Sequence, residues 1–285
     1  MMRWYSGRGR WIAVAGVIAI AVGVRAGAAQ QTQTPTLEGI LRTLQDNLDA
    51  YHKDIPSFLC DEHAISTMVP GTRVQNTVTD STFRVKRDVN TDGKITLTES
   101  REIKTVNGDA AQGDKISGPA IFYGALSGGP VIVSLSQQAC MRYKLRPIQP
   151  GDPYTVEFAS RPANERPADC VLQEDGAGLV VIDPTTMQVT HLEFTVPNHT
   201  IFAGGKTANG YIILPNTGVW VASIDYARVA LEGKTFWMPA TIDGKITGGL
   251  GPTVPTVWSF HATYRNFHKL EVTSRILPAD GTTAP

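Results

Sequence analysis

The feature that most constrains the fold is a long series of alternating apolar and polar positions that begins after Pro56. Such alternation is typical of strands with one buried face, and turn dipeptides such as Asp92-Gly93 and Glu232-Gly233 separate the segments. The order has no βαβ rhythm, so we predict a mostly antiparallel sheet of about ten strands. The predicted strands cover 79–85, 95–106, 131–135, 154–159, 179–182, 187–196, 219–231, 234–246, 257–264 and 268–277, and a short helix is predicted over 119–127.

One amphipathic helix precedes the strands. Apolar residues recur at helical spacing from Leu37 to Tyr51, which places them on one stripe of about four turns. Thr34 or Thr36 can cap its start, and Ile55-Pro56 ends it. We predict that this stripe packs on the sheet.

The N terminus has the three parts of an export signal. Arg3, Arg8 and Arg10 precede an apolar run over 11–24, and the small residues Ala26-Gly27-Ala28 follow it. Fourteen residues span about 21 Å as a helix, which is less than the roughly 30 Å hydrocarbon core of a bilayer. We therefore predict a signal peptide over 1–28 and a periplasmic or secreted bacterial protein. An uncleaved membrane anchor is the alternative, because Arg25 is unusual next to a cleavage site.

The remaining boundaries follow from composition. We predict a polar linker over 29–35, a single β-rich domain over 36–278 and a disordered tail over 279–285. The whole chain has 26 Lys+Arg and 26 Asp+Glu, but the signal segment contains four arginines and no acidic residue. The rest is therefore mildly acidic and has no basic block, which argues against nucleic acid as a partner.

The chain has three cysteines, none in the CxxC spacing of zinc or thioredoxin-like sites. In an oxidising compartment we predict one disulfide between Cys140 and Cys170, which lie at ends of predicted strands. Cys60 follows the apolar Phe58-Leu59 and is predicted to be a buried thiol.

Several stretches resemble an uncharacterised family of exported soil-bacterial proteins. They are IPSFLCDE at 55–62, ESREIKTVNG at 99–108, GPAIFYGAL at 118–126, IDPTTMQVTHLEFTVPNH at 182–199, FWMPATI at 236–242 and WSFHATYRNFHKLEVTSRILP at 258–278. The strand-rich pattern with its terminal hairpin is also similar to the LolA-like fold of outer-membrane lipoprotein sorting. That resemblance implies mainly β structure with an N-terminal helix, in which a curved antiparallel half-barrel has a helix-covered concave face that can hold acyl chains.

Residues 88–99 match the calcium-loop pattern D-x-[DN]-x-[DN]-G-x₅-E. Asp88, Asn90, Asp92 and Glu99 would supply side-chain oxygen ligands. The flanking segments are predicted strands, whereas a calcium loop of this kind needs flanking helices. A hairpin turn explains the same residues and is favoured over calcium, so no cofactor is predicted and calcium is the alternative.

Motifs for nucleophilic catalysis are missing from the sequence, which contains no GxSxG, SxxK or HExxH. His191 and Glu193 lie on one face of a predicted strand and could, with His199, form a metal site or an acid–base pair. An exposed polar strand face is the favoured interpretation, so a non-enzymatic protein is favoured over an enzyme, and an enzyme stays the alternative.

Apolar residues on the predicted inner faces are candidates for a ligand cavity, although most of them must fill the core. The candidates are Leu41, Leu44, Trp220, Trp258, Phe260 and Tyr264. The preferred hypothesis is a non-enzymatic periplasmic protein that binds a lipid or other amphipathic ligand between the sheet and the 37–51 helix. The alternatives are a secreted metal-assisted hydrolase and an envelope scaffold that binds partners through its strand edges. Membrane contact is expected only through an uncleaved signal segment.

Overall fold

The computed structural model describes residues 35–70, 73–111, 124–128, 130–149, 151–202, 205–206, 212–213, 216–249 and 255–270. Within these ranges the chain forms one long helix, one short helix, two 3₁₀ helices and thirteen strands. The helices are α1 (Leu37–Asp54) and α2 (Ala125–Gly128), and the 3₁₀ helices cover Leu135–Gln137 and Ala163–Glu165. The strands are β1 (Phe58–Pro70), β2 (Gln75–Val89), β3 (Ile95–Val106), β4 (Asp109–Ala110), β5 (Met141–Leu145), β6 (Tyr154–Ser160), β7 (Ala177–Ile182), β8 (Val189–Phe202), β9 (Gly205–Lys206), β10 (Ile212–Ile213), β11 (Asn216–Leu231), β12 (Lys234–Gly249) and β13 (Pro255–Lys269).

Helix α1 begins and ends where the sequence predicts. The hydroxyl of Thr36 accepts a hydrogen bond from the Gly39 amide at 3.1 Å, which satisfies one of the free N–H groups of the first turn. Ile55 leaves the helical conformation, and Pro56 follows it. The predicted stripe is buried through its four central residues, Ile40, Leu41, Leu44 and Leu48.

Eleven of the described strands form one open, curved antiparallel sheet in the order β4-β3-β2-β1-β13-β12-β11-β8-β7-β6-β5. The first strand, β1, pairs with the last, β13, and this pairing joins the N-terminal strands to the rest of the sheet. Strands β4 and β5 are its edges, so it does not close. The sheet therefore confirms the predicted fold class of a mainly β chain with an N-terminal helix, and the short strands β9 and β10 pair separately.

Both predicted turns connect neighbouring strands, but only Glu232-Gly233 forms a two-residue hairpin, whereas Asp92-Gly93 lies in the longer connection 90–94. Glu232 and Gly233 have positive φ angles of 50° and 76°, which is the conformation that a tight hairpin between Leu231 and Lys234 requires. Gly93, with φ of 80°, lies in the turn between β2 and β3.

Several segments differ from the predictions. Residues 131–135 form turns leading into a 3₁₀ helix instead of a strand, and Gln45 of α1 accepts a hydrogen bond from the Ser136 amide there. No strand is predicted over Phe58–Pro70 or Met141–Leu145, which form β1 and β5. The break predicted between the strands over 257–264 and 268–277 is a bulge inside the continuous strand β13, where Asn266 takes a φ of 54° and the register with β1 shifts.

The predicted disulfide is present between Cys140 and Cys170, and Cys60 is a buried free thiol. Among the described helices none is both long and apolar enough to cross a membrane. The described residues between 35 and 270 belong to one compact unit. The signal peptide and most of the linker, the predicted strand beyond residue 270 and the tail lie outside the described residues, as do 119–123 of the predicted short helix. The predicted domain boundaries therefore stay predictions.

Candidate functional site

A cavity of about 360 Å³ lies between α1 and the sheet. Leu44, Leu48 and Tyr51 line it from the helix, and Tyr226 of β11 and Phe236 of β12 line it from the sheet. The volume falls at the lower end of the roughly 300–1,000 Å³ of small-molecule sites, which are also mostly apolar. The helix stripe and the sheet therefore leave part of their shared interface unfilled.

The hairpin between β11 and β12 positions the residues that line this cavity on the side of the sheet. Its two-residue turn pairs Val229 with Phe236, and the Phe236 ring meets the Tyr51 ring edge-on, with 6.1 Å between centroids. A bulge at Asp225 and Tyr226 interrupts the ladder at the point where the tyrosine faces the cavity. Trp237, which follows Phe236, also contributes to the lining.

Several polar groups around the cavity have protein partners. Asn47 donates its side-chain amide to the carbonyl of Met187 at 2.7 Å, and the Tyr51 hydroxyl donates to the carbonyl of Leu126 at 2.6 Å. Lys234 is paired with Asp54 at 3.0 Å. These contacts connect α1 to β12, to α2 and to the connection before β8, and they pair Lys234, the one lysine among the described lining residues.

The hydroxyl of Tyr226, unlike these polar groups, has no protein partner among the described residues. The Tyr226 side chain is 6% exposed, and its hydroxyl oxygen is buried. Burial raises the pKa of Tyr226 above its usual range, so the group is a neutral phenol that can both donate and accept a hydrogen bond. Buried hydroxyls in native proteins are nearly always paired, so the Tyr226 hydroxyl is an exception among the described residues.

The predicted ligand residues are distributed along the inner face, and of the six only Leu44 lines this cavity. Leu41 is buried in the core. The Trp220 ring contacts Phe194 at 4.8 Å between centroids. Trp258 stacks on Phe260 at 6.4 Å. For these residues a role in ligand binding stays a prediction.

Tyr264, the remaining candidate, belongs to a buried charged cluster. Its hydroxyl donates to Glu62 at 2.8 Å, and the other Glu62 oxygen accepts from Arg101 at 2.7 Å. The Arg101 guanidinium lies 4.5 Å from the centre of the Phe83 ring. Because Glu62 and Arg101 are nearly inaccessible, this pair depends on its hydrogen bonds to offset desolvation.

The calcium-like segment forms the hairpin between β2 and β3. Asp88 pairs across the ladder with Thr96, and Val85 pairs with Glu99, so Asp88 and Glu99 point to opposite faces of the sheet. Asp92 accepts a hydrogen bond from the Lys94 amide at 3.3 Å, as an Asx turn does. The described structure does not bring these carboxylates together around one point.

The His191 region lies on the outer face. His191 is 2.7 Å from Asp225, and Thr241 donates to the same carboxylate. These side chains begin a polar row across neighbouring strands, because Thr241 pairs with Thr263 and Thr263 pairs with His63. At the other end of this row, His63 lies 2.7 Å from Asp80, as His191 does from Asp225. Within the described ranges no cluster of three or more His, Cys, Asp or Glu side chains could hold a metal.

His199, the third member of the predicted metal or acid–base set, is separate from this row. Its ring lies 2.6 Å from the carboxylate of Glu174.

Tyr226, Phe236 and Trp237 line the cavity but are not among the six ligand residues predicted from the sequence. The signal that could have found them is the Glu232-Gly233 turn, because a two-residue hairpin pairs Tyr226 with Pro239 and so places it next to the strand that carries Phe236 and Trp237. The missing hydrogen-bond partner of Tyr226 has no sequence signal.

Together these features define a class: an open antiparallel sheet with a helix across its inner face and a small apolar cavity between them. Neither a family model nor a curated protein matches the sequence. Among solved structures, the chain is similar to a DUF1329 family protein from Desulfovibrio piger, at 12% identity and a TM-score of 0.38 over 85% of this chain and 96% of that one. It is also similar to a "putative outer membrane lipoprotein-sorting protein domain" from Vibrio parahaemolyticus, at 9% identity and a TM-score of 0.37 over 81% of this chain and 92% of that one. These are distant likenesses of fold, and they say nothing about what this protein binds.

Proposed function

We propose that this protein is an exported binding protein that holds a single-chain amphipathic ligand in the cavity between α1 and the sheet. The cavity itself is the observation that carries the proposal. Its walls are mainly apolar, and burial of apolar ligand surface there would contribute about 25 cal/mol per Å². A volume of about 360 Å³ suits one acyl or alkyl chain better than a lipid with two chains.

The residues at the opening support an amphipathic ligand over a wholly apolar one. Asp54 and Lys234 line the cavity together with the leucines of α1. Since the Lys234 side chain is 58% exposed and the Asp54 side chain 39% exposed, they belong to a polar rim around an apolar interior. A ligand with an apolar body and a polar end matches that distribution.

Export is the second part of the proposal. The Cys140–Cys170 disulfide supports a location in an oxidising compartment, where such bonds form and persist. The predicted signal segment agrees with this location. N-terminal sequencing of protein isolated from the periplasm of its own host is expected to start at Ala29, and a start at Met1 or Met2 would contradict cleavage.

A neutral apolar dye, N-phenyl-1-naphthylamine, tests the cavity. We expect the folded protein to bind the dye with increased fluorescence, and we expect Ala50→Phe to abolish this binding. Ala50 is exposed on α1 and lines the cavity, so a phenyl group there fills its opening without disturbing the core.

Asp46→Phe is the matched control, because Asp46 is exposed one turn earlier on α1 and is not part of the lining. It should bind the dye as the unmodified protein does. Dye binding that is absent, or equal in the two phenylalanine variants, would overturn the proposal. Native mass spectrometry of the periplasmic protein would then identify the bound molecule.

A further inference from the structure

Strand β5 forms one edge of the described sheet and pairs only with β6. Directly after β5, the Arg146 amide donates to the Thr155 carbonyl of β6 at 2.9 Å. Because the residues of an antiparallel strand bond alternately to one side and to the other, Tyr143 and Leu145 direct their N–H and C=O groups away from β6. On that side neither residue has a backbone partner among the described residues. The edge can therefore pair with one more strand.

The side chains on the outer face of β5 and of the residue after it are basic. Arg142, Lys144 and Arg146 occupy alternate positions, are exposed, and line a shallow depression of about 600 Å³. Glu157 of β6 lies 3.8 Å from Lys144 and 2.8 Å from Arg146, and no described acidic side chain pairs with Arg142. Glu193, the other acidic residue of the described lining, lies three strands away on β8. The edge therefore carries an excess of positive charge.

This charge pattern decides which strand suits the edge. An added strand gains affinity from main-chain hydrogen bonds and specificity from side chains at alternate positions. A second copy of β5 does not fit, because antiparallel pairing would bring Arg142, Lys144 and Arg146 of one copy next to those of the other, and like charges on facing strands are destabilising. Carboxylates at the same positions would be attracted.

We infer that the β5 edge binds an extended acidic segment of a partner protein, which adds to the sheet as a further strand. Every second residue of that segment is Asp or Glu and lies beside Arg142, Lys144 or Arg146. The residues between them are apolar, because they lie next to Tyr143 and Leu145, which pack against the core. None of these five residues belongs to the described lining of the cavity under α1, so the surface is a second binding site.

Fluorescence anisotropy of labelled peptides tests the inference. The probe is the peptide Glu-Val-Glu-Val-Glu-Val-Glu, and its control, Glu-Glu-Glu-Glu-Val-Val-Val, has the same composition without the alternation. We expect the alternating peptide to bind more tightly than the control peptide. Arg142→Glu should weaken its binding about 2- to 30-fold, because one attractive cross-strand pair becomes a repulsive one.

Leu145→Pro tests the backbone contribution, since proline removes an N–H that β6 does not use and is tolerated on edge strands. It should weaken binding about 2- to 12-fold, which is the range for one hydrogen bond. Arg265→Glu is the matched control for charge, because Arg265 is an exposed arginine of β13, near the middle of the sheet. It should bind the alternating peptide as the unmodified protein does.

Three results would overturn the inference: no binding of the alternating peptide, equal binding of the two peptides, and an equal loss in Arg142→Glu and Arg265→Glu. The second and third would show that the protein attracts any anion without forming a strand pair. Unchanged binding in a folded Leu145→Pro would also overturn it, because the edge backbone would then not take part. If circular dichroism shows that Leu145→Pro does not fold, the two peptides and Arg142→Glu decide the question.

Discussion

Replacing Tyr226 with phenylalanine is expected to stabilise the ligand-free protein, although the substitution removes a polar group from a native structure. The hydroxyl is buried and has no partner among the described residues, so the folded state bears its desolvation without a compensating bond. Such an unpaired buried group costs about 1–3 kcal/mol. Phenylalanine keeps the ring in place and removes only the oxygen. We therefore expect the free energy of unfolding to increase by about 1–2 kcal/mol.

The same substitution at Tyr264 should have the opposite effect. The Tyr264 hydroxyl donates to the buried carboxylate of Glu62 at 2.8 Å, and hydrogen bonds to charged groups are worth about 1.5–3 kcal/mol. Burial, and then the Glu62 carboxylate, raise the pKa of Tyr264, so it stays a donor at neutral pH. The same substitution at two buried tyrosines of one sheet is therefore expected to change stability in opposite directions. A prediction based only on the greater hydrophobicity of phenylalanine would give both changes the same sign.

Differential scanning calorimetry of protein refolded from denaturant, which removes any bound ligand, measures both effects. For a unit of this size 1 kcal/mol shifts Tm by about 2–4 °C, so Tyr226→Phe should raise Tm by about 2–8 °C. Tyr264→Phe should lower Tm by about 3–12 °C. The reasoning about Tyr226 is refuted if its phenylalanine variant melts at or below the Tm of the unmodified protein, because the hydroxyl would then have a partner in the ligand-free state.

Three further predictions concern other parts of the fold. Replacing both Cys140 and Cys170 with alanine should lower the free energy of unfolding by about 3–4 kcal/mol, because the disulfide closes a loop with a sequence separation of 30; unchanged urea unfolding would exclude a native bond. The hydrogen bond from His63 lowers the pKa of Asp80, and that from His191 lowers the pKa of Asp225. Their contribution to stability is therefore present above the unfolded pKa of about 3.9 and is lost as pH falls below it. Between pH 5 and 3 the free energy of unfolding, measured by urea titration, should fall less in a variant with asparagine at both aspartates than in the unmodified protein. Calcium and a chelator should give the same Tm, since Asp88 and Glu99 lie on opposite faces; a higher Tm with calcium would restore the calcium loop.

The parts of the fold that the sequence predicts are those with a local physical cause. The α1 helix follows from its apolar spacing and the Thr36 cap, and the β11–β12 hairpin follows from Glu232-Gly233. In both cases the residues that specify the element lie within a few positions of it. The fold class could be predicted because alternation and tight turns recur through the whole chain.

Strand β1 could not be predicted in this way because its inner face is partly polar. Glu62 and Ser66 point inward with Phe58 and Cys60, so the sequence does not alternate as a half-buried strand should. Glu62 can be buried only because Arg101 of β3 and Tyr264 of β13 neutralise and bond it, and both are distant in sequence. A local pattern carries no information about such partners.

The cavity could not be predicted either, because it also depends on contacts between residues that are distant in sequence. An amphipathic helix on a sheet is expected to close onto it, since closer packing buries more apolar surface. Here Asn47 is bonded to Met187 in the connection before β8, Tyr51 to Leu126 of α2, and Asp54 to Lys234 of β12, so polar contacts hold one side of α1 to three separate elements. Because those contacts would break if the helix moved inward, the space beside Tyr226 stays open. The position of the site therefore results from long-range polar contacts as much as from the apolar stripe.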